Sequence, residues 1–142
     1  MIRARVVSAL RRRDDRGTAT AFVVGMAITL LAVAGLVVDG GNALNARMKL
    51  ADDTEQAARA GAQQIDELAL RENDVVQLDQ AAAQQAASGF IARFGYNNAG
   101  VNVTADEVTV GASDRVNTVL LSLVGVRSFE VNAVATAEAV TQ

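Results

Sequence analysis

The sequence predicts an α+β fold built on one long N-terminal helix. That helix has a transmembrane half and an amphipathic half, and a second helix and a small antiparallel sheet of about three strands follow it. Three observations predict this. Residues 17–38 carry no charge. From Leu44 to Ala69, apolar residues recur in steps of four and three, the period of a helix. Beyond residue 100, Val and Ala alternate with polar residues, the period of strands. The 142 residues then divide into a basic stretch 1–16, a membrane helix 17–38, its outer continuation 39–70 and an α+β head 71–142.

The 22 uncharged positions from Gly17 to Val38 would rise about 33 Å as a helix, enough to cross a hydrocarbon core. Arg3, Arg5, Arg11, Arg12, Arg13 and Arg16 precede them against only Asp14 and Asp15, which places the N-terminus on the cytoplasmic side. The run exceeds the apolar core of a cleaved secretory signal, and no small-x-small site follows it, so an uncleaved single-pass anchor in the cytoplasmic membrane is expected. Gly17, Ala21 and Gly25 recur every four residues, a spacing that lets another helix approach closely.

Asp39, Gly40 and Gly41 mark the exit from this run and form a candidate hinge, with Asp39 or Asn42 able to cap a restarted helix. Leu44, Met48, Ala51, Glu55, Ala58, Ala62, Ile65 and Ala69 then form a heptad stripe, the pattern of a helix seam. Only Glu55 interrupts it. Arg59 stands four residues on, so the pair reads as a rim ion pair or as a specificity device in the seam. The neighbouring Asp52 and Asp53 diverge by about 100° per residue and have no calcium-loop pattern around them, so they read as a solvated face.

Residues 71–77 read as a link, with a short strand at Val75-Val76. Asp79 is placed to cap a second helix running to about Phe94, with Ala83, Ala87, Phe90 and Phe94 on one face and Gly95 ending it. Residues 96–100 look like a turn. Val101 and Val103, then Val108 and Val110, suggest a hairpin, and residues 116–124 a short helix stopped by Gly125. From Phe129 to Ala139 the alternation is the clearest strand in the chain.

The chain has no His and no Cys, which removes the usual neutral-pH base, the thiolate nucleophile and the commonest metal ligands together. No catalytic residue, cofactor or metal is therefore expected, and a non-enzymatic role is. Beyond Val38 there are 14 acidic residues against 7 basic, which excludes a basic nucleic-acid footprint.

The run RGTATAFVVGMAITLLAVAGLVVDGGNALNARMKLADDTEQAARAGA resembles the N-terminal segment of TadE/TadG-like proteins of the tight-adherence (Flp) pilus system. Gly17, Asp39, Arg47, Leu50, Ala51, Asp53, Ala57, Ala58, Ala60, Gly61 and Ala62 carry the resemblance. It implies a pilin-like layout and a membrane-anchored, pseudopilin-like accessory component of pilus assembly. Implied partners are the membrane, other pilins or pseudopilins and pilus-assembly membrane proteins, in a homo- or hetero-oligomer at the surface or pilus. Pilin-type signals of this system carry a Glu at the fifth mature position; counted from Thr18 that position is Phe22, which favours the uncleaved, accessory end of the family. The alternative, from a different class, is a membrane-tethered module whose head binds an extracytoplasmic ligand or surface.

Overall fold

A computed structural model describes residues 17–139 in full and the backbone course of residues 2–16. The arginine side chains from Arg3 to Arg16 lie outside the described residues. The chain forms a long helix α1 (Ile2–Ala62), two shorter helices α2 (Glu67–Asn73) and α3 (Gln80–Ile91), and three strands, β1 (Asn97–Val103), β2 (Glu107–Asn117) and β3 (Ser128–Glu138). The strands make one antiparallel sheet in the order β1-β2-β3, so the fold is α+β.

α1 is continuous for 61 residues and passes through Gly40-Gly41 without a break. Asp39 therefore caps no restarted helix. Its first half stands apart from the rest of the protein: Phe22, Leu30, Leu36 and Val37 are all more than 60% exposed. By length and composition this stretch can cross a membrane.

The helix ends at Ala62, a turn or two earlier than the heptad stripe suggests. Asp66 is the reason. Its carboxylate accepts the N–H groups of Leu68 and Ala69 and so starts α2 as a separate helix, while its own N–H donates to the Gln77 carbonyl. Capping by a side chain outcompetes continuation of the helix at this point. Gln77 also donates to the second carboxylate oxygen of Asp66, and a bridge joins Ile65 to Leu78. Val75 and Val76 form no strand and are exposed.

Asp79 caps α3 through the N–H groups of Ala81 and Ala82, at 3.1 and 3.0 Å. A 3-10 turn at Ala92–Phe94 and Gly95 at φ +67° end this region as expected. β1 begins at Asn97, inside the stretch that reads as a turn, because a register irregularity between Asn97 and Gly100 lets this polar segment pair with β2. The β1–β2 connection is locked by Thr104, whose hydroxyl accepts the Glu107 N–H while its own N–H reaches the Glu107 carbonyl. β2 and β3 pair over eleven residues, from Glu107–Glu138 to Asn117–Ser128.

The core lies between α1, α3 and one face of the sheet. It is made of Leu50, Ala57, Ala58, Ala62, Leu78, Ala83, Ala87, Ile91, Val108, Val110, Ala112 and Val131. Half of these are alanine, so much of their contribution comes from close backbone approach rather than bulky side chains.

Candidate helix-packing interface and the Asp39 clamp

Outside the apolar half, α1 presents two faces with opposite fates. The face turned to the head runs through Gly35, Asp39, Ala43, Ala46, Leu50, Asp53, Thr54, Ala57, Ala58, Gly61 and Ala62, all buried or half-buried. At Gly61 the approach is closest: a Cβ there would lie 3.0 Å from the Ala83 carbonyl oxygen and from Val108 Cγ1. Midway along, the Tyr96 hydroxyl donates to Asp53 Oδ2 at 2.6 Å, and Tyr96 stacks on Phe94, which in turn meets Phe90. Burial first, then the Asp53 hydrogen bond and charge, push the Tyr96 hydroxyl's pKa well above its ordinary value.

The other end of the packed face is held by a carboxylate. Asp39 is 1% exposed, and its two oxygens accept the backbone N–H groups of Val119 and Leu121 at 3.0 and 2.7 Å. These donors belong to the loop that joins β2 to β3, residues 118–127, which contains a 3-10 turn at Leu121–Val124 and Gly125 at φ +95°. The Leu121 N–H lowers the Asp39 pKa most, burial opposes it, and Val119 and Leu120 add to the lowering. One turn earlier on α1, Gly35 makes room: a Cβ there would lie 3.1 Å from Leu121 Cδ2 and 3.2 Å from Leu120 Cβ. Asp39 and Gly35 together let α1 grip a loop eighty residues away in sequence.

The opposite face is bare. Leu44 is 58% and Met48 54% exposed, and Ala51, Glu55 and Arg59 are exposed beside them. Glu55 and Arg59 form an ion pair. The heptad stripe therefore divides: Leu44, Met48, Ala51 and Glu55 are exposed, with Leu44 at the rim of a groove beside Phe129–Asn132 of β3, Ala58 and Ala62 are buried in the core of the head, and Ile65 lies half-buried beyond the end of α1. In the apolar half, Gly17, Ala21 and Gly25 are exposed, with open space around both glycines. The Thr29 hydroxyl donates to the Gly25 carbonyl and so satisfies itself within the helix. Gly40 and Gly41 also border open space.

Residues 17–64, the stretch that contains both faces of α1, match the family model described as putative Flp pilus-assembly TadE/G-like. The match covers about a third of the chain, and over that third the protein is similar to TadE/G-like pilus-assembly proteins. No curated protein and no solved structure matches the chain. The TadE/G-like segment covers the apolar half, Asp39 and the packed face up to Gln64, while the sheet and the loop that Asp39 grips lie outside it. Among the described residues, no three Asp or Glu side chains gather as a metal-ligand set.

Sequence reasoning missed the Asp39 grip and the packing roles of Gly35 and Gly61. One signal for Asp39 was available, since it is the lone charge between Arg16 and Arg47. A charge in such a run needs partners, but the backbone N–H groups that serve as partners leave no mark on residue identity.

Proposed function

We propose that this chain is a membrane-anchored, pseudopilin-like accessory component of Tad (Flp) pilus assembly that works by helix–helix packing and not by catalysis. The TadE/G-like match supports involvement in this pilus system, and the exposed apolar half of α1 supports an anchor. One observation carries the packing role: α1 spends one face on its own head and leaves Leu44, Met48, Ala51 and Glu55 uncovered on the other. A helix stripe of this composition is suited to a helix from another pilin, a pseudopilin or a second copy. Gly17, Ala21 and Gly25 offer close approach within the bilayer. On this reading the N-terminus is cytoplasmic and the head extracytoplasmic, and α1 remains uncleaved. Gly40 and Gly41 each weaken a helix by about 1 kcal/mol relative to Ala, so α1 bends most easily there when the two halves meet different neighbours.

The test is cysteine cross-linking in cells that assemble the pilus, combined with deletion of the gene. Leu44→Cys and Met48→Cys are expected to give adducts with pilus-system membrane proteins or a second copy, and deletion to remove surface pili. Ala58→Cys and Ala62→Cys, buried in the protein's own core, serve as negative controls. Absence of adducts at 44 and 48, with intact pili after deletion, overturns the proposal. A head that then binds an envelope ligand without its span would make the protein a tethered binding module.

A further inference from the structure

The loop that Asp39 holds is unusual for an extracytoplasmic loop. Between Arg115 and Arg127 it contains no charged residue, and the segment 119–126 reads VLLSLVGV. Val119 is 67%, Leu123 76%, Val124 47% and Val126 41% exposed. Four large apolar side chains on one ten-residue loop form a patch that calls for a partner.

Its place in the fold supplies that partner. The β2–β3 hairpin runs beside α1, with Val108 against Gly61 at one end and Leu121 against Gly35 at the other. Gly35 lies four residues before Asp39, about 6 Å deeper along the helix, within the uncharged run. The loop's apolar surface therefore lies at the same height along α1 as Leu36, Val37 and Val38, which are exposed.

The loop also satisfies much of its own polarity. Six of its ten backbone N–H groups are paired internally or with Asp39: Thr118 with Arg127, Val119 and Leu121 with Asp39, Leu123 with Leu120, Gly125 with Ser122, and Val126 with Leu121. The Ser122 hydroxyl donates to the Val119 carbonyl and the Thr118 hydroxyl to that of Val126. Satisfying polar groups within the segment is what a lipid environment demands, whereas an exposed aqueous loop leaves them to solvent. Arg127, exposed at the loop's base, is placed for lipid phosphates.

We propose that residues 118–127 form a second membrane contact, seated at the headgroup–acyl boundary of the leaflet on the head's side. The depth of one helical turn matches that of interfacial segments, which insert about 5–10 Å. Asp39 then acts as the strut that sets this depth, because its carboxylate is covered by the very loop it holds. The head would be fixed in height and rotation above the bilayer by two contacts. This inference rests on the reading of α1 as an anchor.

The test uses the full chain in phosphatidylcholine vesicles with single cysteines, since the sequence has none of its own. Leu123→Cys, Leu30→Cys and Leu68→Cys are each labelled with an environment-sensitive fluorophore. Leu68 is 70% exposed on α2, at the far end of α1, and is the aqueous reference. The label at 123 is expected to shift to the blue and to lose fluorescence to lipids carrying a nitroxide near the headgroup. The label at 30 should be quenched by lipids with a deep nitroxide, and that at 68 by aqueous iodide alone. Quenching at 123 by iodide as strong as at 68, with no lipid quenching, overturns the proposal while leaving the anchor intact. Protection at 123 from both quenchers also overturns it, because a protein would then cover the loop. Absence of lipid quenching at 30 would overturn the anchor reading and the loop contact with it.

Discussion

Gly61 and the Gly40-Gly41 pair sit in one helix, yet they answer to different demands. At Gly61 the surface of α1 meets the Ala83 carbonyl and Val108 so closely that a methyl group has no place, while around Gly40 and Gly41 there is open space. Gly35 resembles Gly61, with the Leu120–Leu121 loop pressed against it. The packed face of α1 is thus closed at both ends by a glycine, and the pair between them is free for another purpose. Small residues in a helix do not by themselves mark contact; what lies opposite decides.

Gly61→Val should have the largest effect. The new side chain must displace backbone as well as Val108, and overpacking of this kind costs about 3 kcal/mol. Thermal unfolding of the full chain in detergent should show a Tm lower by several degrees. An unchanged Tm would mean that α1 and α3 are not in such close contact.

Next in size is Tyr96→Phe, which acts between the two glycines. It leaves the Asp53 carboxylate, 7% exposed, without its hydroxyl donor, a loss of about 2 kcal/mol. It should also change the alkaline limb of stability. The folded Tyr96 holds its proton above the ordinary value of 10.0, whereas the unfolded chain releases it near that value. Stability contributed by this proton is full below pH 10 and falls as pH rises beyond it, and the Phe variant should lack that fall.

Asp39→Asn tests the other end of the face. The amide keeps one acceptor but turns a donor toward either Val119 or Leu121, so one backbone N–H loses its partner. Amide exchange at these two residues should quicken roughly tenfold while β2 and β3 stay protected. The acid limb follows from the lowered Asp39 pKa. As pH falls, the unfolded carboxylate takes a proton first, near its ordinary value of 3.8. The stabilisation is therefore complete above that value and is lost as pH falls through the lower folded one. In the Asn variant this part of the acid loss should vanish, and the share that comes from Asp66, also lowered by its capping bonds, should remain.

Local patterns in the residues carry much of this fold. Asp79 capping α3 and the alternation of β3 are local patterns, and the structure has both. The heptad stripe was a correct sign of helix, but its face was ambiguous, because Ala and Leu recur on neighbouring positions. Leu50, Ala57 and Gly61 went to the head, and Leu44 and Met48, a third to a half of a turn round the helix, were left outside. Ala58 and Ala62, which share the stripe with Leu44, are buried where α3 packs against that end of α1. Helix continuation to residue 70 failed on one competing cap, Asp66. The Asp39 grip was beyond reach, since its donors are backbone groups eighty residues on.

At the open pair a substitution should stabilise. Gly41→Ala adds a methyl group in open space and removes a helix-weakening glycine, so stability should rise by about 0.5–1 kcal/mol. A matching loss of pilus assembly in cells would show that bending at this point is used, because nothing in the fold itself needs the glycine.

The smallest effect is expected at Glu55 and Arg59. Both are exposed, with side chains 52% and 67% accessible, and an exposed i,i+4 ion pair contributes only about 0.3–0.5 kcal/mol. Glu55→Ala and Arg59→Ala should therefore leave the melting curve almost where it was. Partner selection is a separate quantity. If the bare face of α1 is a seam, this pair sits among Leu44, Met48 and Ala51, and loss of one charge leaves the other facing an incoming helix. Cross-linking from Met48→Cys in the Glu55→Ala background then changes in yield or partner at constant fold stability. A double variant lacking both charges should recover more adduct than either single one, because no unpaired charge is buried on contact. Equal adduct yields in all four backgrounds would assign the pair to the solvated rim of α1.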